Sequence, residues 1–455
     1  MSEQVAVLIA TGIAAFLTPF MSAAVTIALP TIGLEMGAET TLLNWVATSF
    51  LLAAAMSLVP LGKLADIHGR RRAFTAGMIV HTLASLACAA APSIEALIAL
   101  RALQGVGGAL IFGTSTALLT SVFPPGDRGR VLGVNIGLVY VGLSTGPFLG
   151  GLMTHAFGWR SLFLLGAGLG VAGLVVVLAG IRSEWAEAKG DPFDVAGAVI
   201  YAGGLAVLMT GLSLLPGPAG VACIVGGLVL LGVFVRHELR TAHPVLDLSL
   251  FIGNPVFAWS NLAALINYSA TFAVMFLLSL YLQYVRGMTP RDAGLLMVIQ
   301  PVLQAAFSPL AGRLSDRLQP RLLASSGMFL SIVGLVPLAF LDASTHLGIV
   351  AASLAIMGLG FALFSSPNTN AIMGAVPRRS YGVASATLAT MRLVGQMLSM
   401  GIVMVAFALT MGHTKIAPDL FPQFLHALHA VFMGGIALCS VGVFASLARG
   451  RVRQP

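Results

Sequence analysis

Apolar residues in this chain fall in long unbroken runs, without the two-residue alternation of a half-buried strand. A helix needs about 20 apolar residues to cross the hydrocarbon core of a bilayer, whereas a tilted strand needs only about 9–11. Runs of helix-spanning length occur near 5–33, 42–64, 73–91, 94–123, 131–157 and 162–181, at 195–215 and 220–235, and near 255–285, 292–312, 321–340, 346–376, 381–411 and 424–447. The pattern predicts fourteen transmembrane helices. Two hydrophilic stretches, 182–194 (RSEWAEAKGDPFD) and 236–248 (RHELRTAHPVLDL), flank the seventh and eighth runs. The expected division is a six-helix bundle over 1–181, a linker with two inserted helices over 182–250, and a second six-helix bundle over 251–455.

Composition agrees. Of 455 residues 58% are apolar and only 9% charged, against about 25% charged in a soluble protein. So few charges cannot cover several water-facing domains, and disorder and disulfide scaffolds are excluded with them. Cys88, Cys223 and Cys439 lie inside apolar runs, with no metal-ligand spacing, and read as packing residues. The N-terminus lacks a basic leader and a cleavage site, so its apolar run is expected to stay as the first span. The formal charge of +8 is unevenly placed: eighteen of the 24 Lys and Arg residues lie at the termini or after even-numbered spans. Only Arg160, Arg286, Arg291 and Lys415 follow odd-numbered spans, and Arg101 and Arg392 lie within spans. The positive-inside rule then puts both termini in the cytoplasm, and accounts for the basic charge without a nucleic-acid partner.

The loops conceal a repeat. After the second run the chain reads Gly62-Lys-Leu-Ala-Asp66-Ile-His-Gly69-Arg70-Arg71-Arg72, and after the tenth Gly312-Arg-Leu-Ser-Asp316-Arg317. Repeated halves about a central site are a common transporter plan. The first junction resembles the loop motif of the major facilitator superfamily. Arg101-Ala-Leu-Gln104-Gly105-Val-Gly-Gly108 resembles its span-four motif, and Gly142-Leu-Ser-Thr-Gly146-Pro147-Phe-Leu-Gly150-Gly151 the antiporter motif of span five. Ala28-Leu29-Pro30, Trp159-Arg160, Asp194 and Leu246-Asp247-Leu248 are weaker echoes. Together they resemble the fourteen-span drug:proton antiporter branch, of the QacA/EmrB type. That resemblance implies an all-α major facilitator fold of two pseudo-symmetric bundles plus two inserted helices. It also implies a monomer in a bacterial inner membrane, alternating access, and export of amphipathic compounds in exchange for protons. One position departs: the branch carries an Asp nine residues before the Ala-Leu-Pro proline, and here Met21 stands there. All sixteen acidic residues fall in loops or at span ends, Glu95 lying closest to the interior.

Candidate residues follow. At the first junction Asp66 is expected to pair with Arg70 and to accept donors from a neighbouring helix N-terminus. Gly62, Gly69, Arg71 and the second-copy Asp316 complete this gating set. Gly142, Gly146, Gly150 and Gly151 permit close helix approach, and Pro147 removes a backbone hydrogen bond. A charge inside a span faces a cavity or a partner, which singles out Arg101 with Gln104 and Arg392 with Gln396. His81 is a titratable group deep in the first half. With Met21, Asn44, Tyr140, Asn267, Tyr268, Gln300, Gln304 and Asn368 these residues are the expected lining of a substrate cavity. Gly168-Leu-Gly170-Val-Ala-Gly173 matches a dinucleotide fingerprint and Gly142-Leu-Ser144-Thr-Gly146 a nucleophile elbow, but both lie inside spans without the strand–turn–helix that either needs. With no phosphate-binding loop for ATP either, the reading is a gradient-driven transporter of a small molecule, without cofactor or metal, and not an enzyme. Its alternative is an organic-anion facilitator or symporter not coupled through a span-one carboxylate.

Overall fold

The computed structural model describes residues 2–124, 127–315, 317–377, 381–412 and 414–449, the side chains of 128, 129 and 382 aside. Among these residues there is no strand, and fourteen helices are long and apolar enough to cross a membrane. They are α1 (Glu3–Met36), α2 (Thr40–His68), α3 (Arg70–Ala89), α4 (Ile94–Val122), α5 (Arg130–Phe157), α6 (Arg160–Gly180) and α7 (Val195–Ser213). The rest are α8 (Pro218–Glu238), α9 (Pro255–Val285), α10 (Pro290–Ser315), α11 (Pro320–Leu338), α12 (Leu347–Gly374), α13 (Val383–Thr410) and α14 (Pro418–Ala448). Each predicted run corresponds to one of them, with ends that differ by a few residues.

Helix starts follow capping chemistry. Ser2, Ser93, Asp194, Asn254 and Thr289 each accept a first-turn N–H of the helix they precede. Pro218, Pro255, Pro290 and Pro320 open helices at positions where a missing N–H is harmless. Two helices are interrupted. In α9 the regular winding breaks at Phe272, where the Ala273 N–H donates to Ser399 Oγ of α13 at 3.0 Å instead of staying in the helix. In α10 it breaks at Val298, one turn before Pro301, whose ring cannot serve the Met297 carbonyl.

The packing repeats with an offset of eight helices. α1 lies on α5 and α6, α2 on α4, and α3 on α4 and α6. In the same pattern α9 lies on α13 and α14, α10 on α12, and α11 on α12 and α14. These are the two six-helix bundles. α7 and α8 pair with each other, and α7 also packs on α2 and α13. An apolar cluster including Ala55, Val59, Tyr201, Leu205, Met397 and Met404 fills that seam. An even number of spans puts both termini on one side, here the terminal face; the other is the distal face.

Candidate functional site

The two bundles meet at one end. Thr40 donates through its N–H and its Oγ1 to the Thr414 carbonyl, both at 3.1 Å, and Asn44 Nδ2 donates to the Met400 carbonyl at 3.2 Å. From α9, Ser279 Oγ donates to the Thr26 carbonyl at 2.9 Å, Gln283 Nε2 to Ile27 at 2.8 Å and Tyr284 OH to Pro30 at 3.1 Å. Among the described residues every hydrogen bond between the bundles lies in the distal half. The acceptors have a cause in the sequence. Residue 30 would bond the Thr26 carbonyl in an unbroken helix, but Pro30 has no N–H, so that oxygen is free for Ser279. The donors sit where α9 ends in a π-wound turn, Tyr281–Val285, a feature frequent at functional sites.

The span-five glycines divide between two partners. A Cβ at Gly142, Gly146 or Gly150 would come within 2.4 Å of the Phe16 carbonyl, 2.5 Å of Ala23 Cβ or 2.7 Å of Ala24 Cα, so this stripe seats α5 on α1. Gly151 faces the other bundle, 2.3 Å from the Pro290 carbonyl by the same measure, and Gly294 of α10 lies 2.2 Å from the carbonyl of Pro147. Backbone touches backbone there, and no side chain fits.

On the terminal face the Gly62–Arg72 junction is occupied by the linker. Arg70 Nε donates to Asp66 Oδ1 at 2.8 Å, Nη1 to Ser121 Oγ at 2.8 Å, and Nη1 and Nη2 form a fork on Glu187 at 2.7 and 2.9 Å. The Arg70 N–H donates to the Trp185 carbonyl, the Ala188 N–H to the Asp66 carbonyl, and Lys63 lies 3.8 Å from Asp191. One expectation is corrected: Glu184, not Asp66, caps the N-terminus of α3, accepting the N–H groups of Arg71 at 2.8 Å and Arg72 at 3.2 Å. Asp66 belongs to the last turn of α2, and its carboxylate turns to Arg70. Gly69 has φ +121°, and a Cβ there would lie 2.4 Å from the Glu184 carboxyl, so glycine is required. A Cβ at Gly62 would meet nothing within 4 Å. Arg71 Nε is shielded and has no partner. Asp316 lies outside the described residues, as do Arg378, Arg379, Arg451 and Arg453.

The interior candidates separate by surroundings. Met21 is 1% exposed, and a Cβ on Gly166 would come within 2.8 Å of its sulfur, so its side chain points at α6. His81 is fully enclosed against Gly107 of α4, with no partner on either ring nitrogen. Arg101 donates to the Val46 carbonyl at 3.2 Å and to Gln104 Oε1, and lies 4.5 Å over the Phe50 ring; Gln104 Nε2 donates to Ser85 Oγ at 2.7 Å. Asn44 Oδ1 accepts from Thr48. Asn368 donates to the Ser260 carbonyl at 3.1 Å and accepts from Arg449 Nη1 at 2.9 Å. Arg449, just past the last span, is 1% exposed and its guanidinium also bonds Ser446 and Ser260, because the side chain folds back over the end of that helix. Asn267 is buried with both amide atoms unpartnered, as is Gln300 Oε1. Gln304 is 8% exposed, and Tyr140, Tyr268, Arg392 and Gln396 are half-buried. Arg392 Nη2 donates to Thr369 Oγ1 at 3.1 Å, with the guanidinium 5.8 Å from the Tyr268 ring centre. Sequence reasoning missed Glu184, Glu187, Ser279, Gln283 and Tyr284; only the carbonyl freed by Pro30 could have pointed to any of them.

Two repeated helix bundles, in contact at one face, define a polytopic membrane transporter and not an enzyme. The chain belongs to the Major Facilitator Superfamily, which it matches over residues 11–400, and is a secondary transporter of that family. It is 33% identical over 387 residues to the uncharacterized transporter YebQ of Escherichia coli (strain K12), covering 84% of each chain. It is 27% identical over 392 residues to the riboflavin transporter RibZ of Clostridioides difficile (strain 630), covering 86% of each. With the multidrug resistance protein Stp of Mycobacterium tuberculosis it shares 31% over 407 residues, 88% of this chain and 75% of that one. Among solved structures, a bacterial homolog to the human lysosomal transporter Spinster, inward-facing and unoccupied, superposes with a TM-score of 0.67 at 18% identity over 98% of this chain and 97% of that chain.

Proposed function

We propose that this chain exports amphipathic organic compounds by alternating access, from a bacterial inner membrane, with both termini in the cytoplasm. The observation that carries the reading is that, among the described residues, the cross-bundle hydrogen bonds are confined to the distal half. The bundles are then free to part on the terminal face, where the basic loops place the cytoplasm. Similarity to proteins named for multidrug resistance, tetracenomycin C export and cephamycin export supports outward drug movement. Proton exchange is part of the proposal, but the carboxylates of α1, Glu3 and Glu35, lie in its two end turns and not in its interior, and His81 is enclosed. Coupling draws instead on the substrate's own titratable group or on span-end acids such as Glu95.

The test is flux in proteoliposomes of the purified chain with a panel of amphipathic dyes, with and without an imposed ΔpH. Accumulation driven by ΔpH supports export by exchange. Equal rates with and without the gradient would favour the facilitator reading, and no flux above protein-free vesicles would overturn both. The distal contact gives a second measurement. Gly294→Val puts a branched side chain where a Cβ already lies 2.2 Å from the Pro147 carbonyl. It is expected to hold α10 off α5 and cut flux about tenfold, from overpacking of ~1–3 kcal/mol, whereas Gly133→Val, with nothing within 4 Å, should be close to wild type.

A further inference from the structure

Arg101 and Arg392 within spans, and Arg449 at the end of the last one, differ in what they have left to offer. Arg101, 2% exposed, donates from Nε to Val46 and from Nη1 to Gln104 and lies on Phe50. Arg449 spends Nε, Nη1 and Nη2 on Ser446, Ser260 and Asn368. Arg392 makes one hydrogen bond, from Nη2 to Thr369, and its Nε has no partner. Among the described residues no carboxylate lies within 4.0 Å of it. A charged side chain near the middle of a span costs about 2.5–3.5 kcal/mol or more, and neither an ion pair nor a saturated set of bonds offsets that here.

Its surroundings suit a particular ligand. The guanidinium lies over the face of Tyr268, whose ring meets Phe361 edge-on at 6.0 Å. α12 and α13 touch each other little, whereas α13 packs closely on α9, where a Cβ on Gly395 would lie 2.9 Å from Tyr268 Cβ. A guanidinium fork matches a carboxylate or sulfonate, and an adjoining aromatic face suits a flat apolar body. We propose that Arg392, set over Tyr268, is the substrate-recognising group of the transport path, and that its substrates are organic anions carrying an aromatic ring next to the charge. This rests on the proposed alternating access of the two bundles. It goes further in fixing the sign of the substrate's charge and the residue that reads it.

The experiment uses two probes of fixed charge, naphthalene sulfonate and naphthyl-trimethylammonium, with the full chain in proteoliposomes and in detergent. Wild type is expected to move and bind the sulfonate in preference to the ammonium. Arg392→Gln should raise KM for the sulfonate about tenfold or more, the size of a lost charged hydrogen bond, with Arg392→Lys between the two. Arg392→Glu should exchange the preference toward the ammonium, a gain that a misfolded chain cannot produce. Equal handling of both probes by wild type, or an unchanged preference in Arg392→Gln and Arg392→Glu, would overturn the proposal. Sulfonate binding that depends on Arg392 but without flux would uphold it and defeat the transport reading instead.

Discussion

Arg70→Lys is expected to lower flux by about tenfold or more, with insertion and expression unchanged. Lysine keeps the charge but not the planar fork that holds Asp66, Ser121 and Glu187 together. Hydrogen bonds to charged groups contribute about 1.5–3 kcal/mol each, but the Glu187 side chain is 69% exposed and its share is discounted for solvent. A net loss of ~2 kcal/mol is a roughly thirtyfold change in population. The state that loses is the one in which linker and junction are joined. Initial rates normalised to protein in the membrane give the answer, and a double-mutant cycle with Glu187→Gln assigns it. If Arg70→Lys costs as much in the Glu187→Gln background as in wild type, the linker is not its partner.

Ser279→Ala combined with Tyr284→Phe is expected to open the distal face. The two changes delete the donors to the Thr26 and Pro30 carbonyls. A buried acceptor left without a partner, here Thr26, costs about 1–3 kcal/mol and the loss of the added bond to Pro30 about 0.5–1.5 kcal/mol, so the pair shifts the balance by ~3 kcal/mol, about a hundredfold. Spin labels on Ala38→Cys and Ile416→Cys, on the loops that flank the Thr40–Thr414 contact, report it. Wild type should give one short distance and the double variant a second, longer population. Pro30→Ala supplies the diagnostic control: it gives the Thr26 carbonyl a helical N–H again, so Ser279→Ala should then have little effect. An equally large effect in that background would show that Ser279 acts elsewhere.

The fourteen helices were legible because burial in lipid demands long apolar runs, and run length is written directly in the sequence. The span-five glycines were legible for a similar reason: spacing by four puts Gly142, Gly146 and Gly150 on one stripe whatever lies opposite. Which way a single side chain points was not. Met21 occupies the position of the branch's span-one acid, yet the rotation of α1 turns it to Gly166. Pairing between distant segments was also hidden. Glu184 and Glu187 read as solvated linker charges, because nothing in RSEWAEAKGD says that it folds back over α3. Arg449 counted only among the basic residues of the terminal side, and its place just past α14 lets it reach Ser260 and Asn368.

The inserted pair has a consequence for how molecules dissolved in lipid reach the interior. Where α7 lies against both α2 and α13, Tyr201 OH bonds the Ala55 carbonyl at 3.0 Å and the surrounding methionines and leucines leave that flank sealed with hydrocarbon. Across the molecule, α5 and α10 touch through Gly151 and Gly294, while Gly133 and Gly137 nearer the terminal face have no neighbour within 4 Å. The protein is therefore lopsided toward the bilayer: α7 covers the flank between α2 and α13, and among the described residues no inserted helix covers the flank where α5 meets α10. A molecule dissolved in lipid meets the inserted pair on one flank and only the α5–α10 seam on the other, so the two sides of the protein are not equivalent to the bilayer.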